Sequence, residues 1–117
     1  MNDATLKQLT NLVLKFREER DWKKFHNPKD QALSLCLEAA EFLELMQWRN
    51  GEELDQHLTS IRDRAGEELA DVLGWILLLA NDLQIDLGEA FERKIRINCE
   101  KYPVEKSKGV ATKYTDL

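Results

Sequence analysis

Two prolines and five glycines in 117 residues are too few for a turn-rich β sandwich or an array of flexible linkers. The two cysteines, Cys36 and Cys99, lie far apart and form no CxxC. A disulfide framework and a zinc knuckle are therefore not expected; a reducing, cytoplasmic setting is, with both thiols in the core. The longest apolar run, Val72 to Ala80, is about half of the ~20 residues that cross a bilayer. The N-terminus has no basic stretch followed by an apolar core, so neither a membrane partner nor a secretory leader is expected. Clustered Lys and Arg are also missing, and 17 basic against 22 acidic residues leave a net charge of −5. A chain that coats DNA or RNA needs such a cluster to displace phosphate counterions. Nucleic acid is thus not an expected partner, and a polyanionic ligand would have to be met through a metal.

What remains is ordinary globular composition, 43% hydrophobic and 33% charged, arranged with helical periodicity. Leu6, Leu9, Val13 and Phe16 form the stripe of an amphipathic helix from about residue 5 to 20, with Asp3 as a candidate cap. Asn27-Pro28 opens a second helix that is expected to run to about Trp48 and to end at Asn50-Gly51. A weaker helix over 52–64 leads into a strong one over 65–83, and the two are open to being continuous. Asp86 followed by Glu89 starts a last helix, with Leu87, Ala90, Phe91 and Ile95 or Ile97 inward, and Tyr102-Pro103 stops it. No repeat or shift of composition marks a boundary, so residues 1–117 are read as one domain: an all-α, antiparallel four-helix bundle. The second helix and the 65–83 helix are apolar nearly all round. A chain this small buries only about two-thirds of its unfolded surface, so those faces call for cover by another subunit and predict an obligate oligomer.

At about 100° per residue, Glu38 and Glu41 share one face of the second helix with Ser34, Leu37, Leu45 and Trp48. Glu68 and Asp71 repeat the spacing on the other helix, with Trp75 and Leu78 beside them. Acid-x-x-acid pairs arise by chance in a chain with 22 acidic residues, Glu41/Glu44 being another, and a solvated helix face is the ordinary explanation. A solvated face, however, does not also carry Leu37, Leu45, Trp48, Trp75 and Leu78. If the two faces meet, four carboxylates converge where water is scarce, an arrangement that must protonate or bind a cation. All-oxygen ligation selects Mg²⁺, Mn²⁺ or Ca²⁺, and Mg²⁺ keeps positions for water and phosphate oxygens. Other chemistries lack their parts. HExxH and P-loop glycines are absent, and neither His26 nor His57 completes the Glu-x-x-His of a di-iron bundle. His57 reads as solvated. His26 follows Trp22 and Phe25 in the loop leading to the carboxylate helix, where it is either a packing staple or a group that stacks on and hydrogen-bonds to a base. Trp48 is expected about 10 Å beyond Glu41 on nearly the same helix face.

Glu38-x-x-Glu41 with Glu68-x-x-Asp71 resembles the all-α nucleoside triphosphate pyrophosphohydrolases of the MazG type, and the dCTP pyrophosphatase branch in particular. Trp22-x-x-Phe25-His26-Asn27-Pro28, Met46-Gln47-Trp48, Glu67-Glu68-Leu69-Ala70-Asp71-Val72, Tyr102-Pro103-Val104 and Thr112-Lys113-Tyr114-Thr115 all look like that branch. The resemblance implies hydrolysis of a nucleoside triphosphate between the α and β phosphates, with Mg²⁺ held by Glu38, Glu41, Glu68 and Asp71. It implies that Trp22, His26 and Trp48 line the base and sugar pocket, that Trp75 stands where relatives often carry Tyr, and that the assembly is a dimer or a dimer of dimers, a homotetramer. Val13 departs from the pattern, standing where some relatives place a substrate-contacting histidine.

The expected activity is a Mg²⁺-dependent (Mn²⁺ also suits) pyrophosphohydrolase that clears unwanted pyrimidine deoxynucleoside triphosphates, with Glu38 or Glu41 as the base that steers water. Lys94, Asn98 and Lys113 are phosphate partners ranked below the carboxylates. An enzymatic rival is a dUTPase-like activity on the same scaffold; a non-enzymatic one is a helical nucleotide-binding or dimerisation module.

Overall fold

A computed structural model describes residues 1–117, all helix and turn with no strand. Helix α1 spans Leu6–Glu19. Its cap is Thr5 rather than Asp3: the Thr5 hydroxyl accepts from the Gln8 amide at 3.1 Å, and the Gln8 side chain accepts from the Thr5 amide at 2.8 Å. This reciprocal box satisfies two backbone donors at once, which Asp3, farther from the first turn, does not do. Helix α2 spans Pro28–Glu44, opened as expected by Asn27, whose side chain accepts from Asp30 N at 2.9 Å with proline in the first turn.

The end of α2 departs from expectation. The chain leaves the helix after Glu44 and tightens into i→i−3 bonds, Leu45 N to Phe42 O, Met46 N to Leu43 O and Gln47 N to Glu44 O. Asn50 and Gly51 do not close α2; they open α3, Gly51–Ser60, with Gly51 at φ +56° where glycine is favoured. His57 is half-buried, not solvated. Its Nε2 donates to the Leu45 carbonyl at 2.9 Å, satisfying an acceptor that the early end of α2 exposes. Ile61, 4% exposed, separates α3 from α4, Arg62–Asp82, so the segments over 52–64 and 65–83 are two helices.

The chain divides into two compact units, Met1–Gln84 and Ile85–Leu117. In the first, α4 is the central element and packs on α2, α1 and, at its edge, α3. Gln31 near the start of α2 meets Asp82 at the end of α4, while Glu38 meets Glu68 near its beginning, so these helices run antiparallel. Arg17 near the end of α1 reaches the same Asp82, so α1 alternates with α2 in direction and runs alongside α4. The buried apolar centre comprises Ile61, Leu77, Leu78 and Ala80. Cys36 and Cys99 are both exposed, correcting their assignment to the core: a thiol's apolar surface is small, so leaving it in solvent costs little. Leu33, Leu37, Leu43 and Leu69 are each more than half exposed.

The second unit holds α5, Leu87–Lys101, a short helix α6, Val104–Ser107, and a final turn over Tyr114–Asp116. Asp86 caps α5, accepting from Glu89 N at 3.0 Å. Leu87 and Ala90 are half-buried, whereas Phe91, Ile95 and Ile97 are exposed rather than inward. The tail, aperiodic in sequence, is held by Tyr114, edge-on to Tyr102 with ring centres 5.9 Å apart and 4.7 Å from the Lys101 ammonium. No helix is long and apolar enough to cross a membrane.

Gly66 lies exposed within α4, and a Cβ built there meets nothing within 4 Å. Gly66→Ala is therefore expected to stabilise the fold by about 0.8–1.0 kcal/mol, the helix-propensity difference, read as a raised midpoint in thermal melts. A lowered midpoint would show that this face is covered in the assembled protein.

Candidate active site

The antiparallel register of α2 and α4 brings carboxylates from both helices together. Oxygens of Glu38, Glu41 and Glu68 lie within 4.8 Å of one another. Glu38 and Glu68 are half-buried and Glu41 is exposed. One oxygen on each buried partner, Glu38 Oε2 and Glu68 Oε2, has no hydrogen-bond partner. Burial first, then the hydrogen bond and charge of Glu41, then the charge of Asp71, push the Glu38 carboxyl up to about 7. Glu68 is raised for the same leading reasons, burial and then Glu41. Like charges in a poorly hydrated place favour the protonated form of one member. Asp71, the fourth expected ligand, stands outside this group and is exposed, although its charge acts on both glutamates.

Asp71 also lines a cleft of about 470 Å³ between α1 and α4. Most of its wall is apolar: Leu9, Leu12, Val13 and Phe16 from α1, and Leu73, Gly74, Leu77 and Leu78 from α4. Three of the expected binding residues, Trp22, His26 and Trp75, join it. The short 3-10 turn Lys23–Phe25 sets Trp22 edge-on to Phe16, ring centres 5.7 Å apart, and His26 edge-on to Trp75 at 5.1 Å. His26 is thus both packed and displayed in the cleft. The cleft meets the carboxylate group through one residue, Asp71, so aromatic and anionic chemistry adjoin on one face of α4.

One part of this wall was not anticipated. Arg17, 4% exposed, lines the cleft and donates to Asp82 through two nitrogens, at 2.7 and 2.9 Å. Gln31, 1% exposed, donates to the same carboxylate at 2.8 Å. The signal was present: Arg17 follows Val13 by four residues and Asp82 follows Leu78 by four, so opposite charges extend two apolar stripes into the core.

Trp48 stands elsewhere. It lies beyond the end of α2 at φ +71° and is 86% exposed, so helical rise from Glu41 does not locate it; the i→i−3 turns rotate it off that face. Lys94 and Asn98 lie on α5 in the second unit, four residues apart on a shared helix face, Lys94 exposed and Asn98 half-buried.

A model of the MazG-like family matches residues 33–117, which include all four acidic positions. The chain belongs to the MazG-like family. Over 118 residues this MazG-like chain is 41% identical to dCTP pyrophosphatase 1 of Bos taurus, covering 99% of its own length and 70% of the relative. The human dCTP pyrophosphatase 1 is 38% identical over 117 residues, with 98% and 69% covered. Among solved structures, a pyrophosphatase from Archaeoglobus fulgidus superposes with a TM-score of 0.80 at 35% identity, covering 88% of this chain and 96% of that one. The resemblance of the chain to this family is thereby upheld over nearly its whole length.

The Arg17–Asp82 pair gives the MazG-like fold a definite acid sensitivity. Hydrogen bonds from Arg17, and then from Gln31 and Asn81, hold the Asp82 carboxyl well below its usual range against the opposing effect of burial. A depressed folded value stabilises fully above the unfolded aspartate value of about 3.9 and loses that contribution as pH falls below it. Urea midpoints of the native chain should drop steeply below about pH 4. Asp82→Asn should cost about 3 kcal/mol at pH 7, because a buried guanidinium is left uncompensated, and should flatten that acid limb.

Proposed function

We propose that this chain is a Mg²⁺-dependent nucleoside triphosphate pyrophosphohydrolase that converts a deoxynucleoside triphosphate, dCTP or a close relative, to the monophosphate and pyrophosphate. The observation that carries the reading is the meeting of Glu38, Glu41 and Glu68 across α2 and α4, with two buried oxygens unpartnered, at the edge of an aromatic cleft. The relatives named dCTP pyrophosphatase 1, at about two-fifths identity over nearly the full chain, support the substrate class.

The donor set suits a hard divalent cation. It is all oxygen, and the unpartnered Glu38 Oε2 and Glu68 Oε2 are the atoms such an ion would satisfy. Glu38, Glu41 and Glu68, with Asp71 at the cleft edge, would hold it. Bound Mg²⁺ supplies positive charge against the triphosphate oxygens as charge builds in the transition state. The protein's own part is to bind and aim. Trp22, His26 and Trp75 hold the base in the cleft, leaving the phosphates directed toward Asp71 and the carboxylates. Glu41, the exposed member, is placed to take a proton from the attacking water, while half-buried Glu38 serves as ligand and partner. Water is a sufficient nucleophile for this displacement, so the reading requires no covalent enzyme intermediate.

The same reading takes residues 1–117 as one functional domain and the molecule as a homo-oligomer, a dimer or dimer of dimers. The half-exposed leucines of α2 and α4 are the surface a second copy would cover, and Trp48, exposed in its own chain, is offered to a neighbour's cleft.

Glu38→Gln should lower kcat by about a hundredfold or more while raising the melting midpoint in Mg²⁺-free buffer, because one member of a repelling cluster is neutralised. Retained turnover would remove Glu38 from the site. A panel of deoxynucleoside triphosphates assayed for pyrophosphate, with and without Mg²⁺, tests the substrate; hydrolysis confined to dUTP would favour a dUTPase-like enzyme, and none with any divalent ion a binding module.

A ligand carboxyl must lose its proton to bind metal, and Glu38 is pushed up to about 7. Apparent Mg²⁺ affinity should therefore rise steadily from about pH 6 to about pH 8 and release a proton on binding, both readable by calorimetry in buffers of different ionisation enthalpy.

A further inference from the structure

Arg17, in the wall of the cleft, has no part in the chemistry described so far. Arg17 cannot discharge itself when buried, and its neutralisation uses two nitrogens on Asp82. The same Nη1 that donates to Asp82 also lies 3.4 Å from His26 Nδ1. A guanidinium has no acceptor, so at this contact Nδ1 accepts. A neutral imidazole that accepts at Nδ1 carries its proton on Nε2. That Nε2 has no hydrogen-bond partner in the protein, although the ring lines the cleft against Trp75.

We propose that Asp82 and Arg17 form a positioning relay that fixes His26 as a neutral Nε2–H donor, and that this donor reads a carbonyl oxygen on the substrate's base. The inference rests on the triphosphate reading given above. The remaining lining is apolar and aromatic, which suits the flat faces of a base but leaves its ring carbonyl unsatisfied. A donor of fixed tautomer corrects that deficit and discriminates against rings lacking the oxygen. Burial first, then Arg17, hold His26 below its ordinary range, with Asp82 pulling the other way. The donor therefore persists in its neutral form through neutral pH. Gln31 completes the relay by donating to Asp82 Oδ2, the same oxygen that accepts from Arg17 Nη1.

The decisive measurement is nitrogen-15 NMR of the full-length, ligand-free protein. It holds two histidines, and His26→Gln assigns the signals. His26 should be protonated at Nε2 and unprotonated at Nδ1 at pH 7; Arg17→Lys, which cannot reproduce the planar fork, should raise its titration midpoint. A proton on Nδ1 would overturn the relay. In kinetics, Arg17→Lys and His26→Leu should each raise KM for dCTP by about tenfold, the scale of one lost hydrogen bond, with kcat little changed. His26→Gln, which can still donate, should recover much of the loss. A dCTP analogue without the 2-carbonyl oxygen should show the same tenfold loss on the native enzyme and no further loss on the variants. Equal use of dCTP and the analogue by the native enzyme would overturn the base contact. Should Arg17→Lys fail to fold, the native tautomer and the analogue still decide. Absence of all turnover would instead defeat the pyrophosphohydrolase reading, with the tautomer measurement still deciding the relay.

Discussion

Carboxylates packed within 4.8 Å of one another are tolerable in a half-buried place only if a proton or a cation stands among them, and the pairing of α2 with α4 turns on this constraint. The two helices could bury more hydrocarbon if Glu38 and Glu68 were leucines. They instead hold two oxygens without partners, and the elevated Glu38 carboxyl records the electrostatic cost of doing so. At the other end of the same pairing the opposite solution appears. Asp82 there receives Arg17 and Gln31, and its charge is fully answered within the chain. One molecule thus contains a closed charge and an open one. The closed pair ties α1, α2 and α4 together, and the open group is left competent for a ligand.

Both ends belong to a single stripe. Glu68, Asp71, Trp75, Leu78 and Asp82 follow one another at intervals of three, four, three and four residues along α4, so they share one face over about 21 Å of helix. Carboxylates come first, then the cleft edge, the aromatic wall, a buried leucine and the ion pair. A nucleotide laid along this face would meet anion-handling groups at one end and base-handling groups at the other. In the proposed reading, the order of function in space is the order of residues in the chain.

That stripe was legible in advance because an unbroken helix preserves angular spacing. The meeting of Glu38 with Glu68 follows from periodicity once α2 and α4 are taken as antiparallel; the contact of Trp75 with His26, a loop residue, does not. Legibility failed where local geometry replaced periodicity. Trp48 was projected along a helix that stops at Glu44, and no propensity in Leu45–Trp48 announces the tight turns that stop it. His57 reads as solvated because its partner is a backbone carbonyl, at Leu45, which a sequence does not display. Arg17 and Asp82 do not stand out in the sequence, since charge is ordinarily a surface property; only their joint place on apolar stripes distinguishes them. Cys36 and Cys99 show the reverse error, small apolar residues credited with burial on helices where even Leu37 and Ile95 stay exposed.

Trp48 shows how such a departure can itself be informative. A bulky residue in the left-handed region bears a backbone cost of order 1–3 kcal/mol, and an indole left 86% exposed forgoes the burial that ordinarily rewards it. Neither cost is relieved by a contact that Trp48 makes in its own chain. The surroundings hold it there chiefly from one side: His57 grips the Leu45 carbonyl, while the exposed Arg49–Glu53 pair on the other side adds little, and the indole between them is free. A turn anchored at His57 around an indole left exposed is intelligible as a means of presentation. In the proposed assembly its beneficiary is another subunit, whose cleft has aromatic walls of the kind an indole would extend.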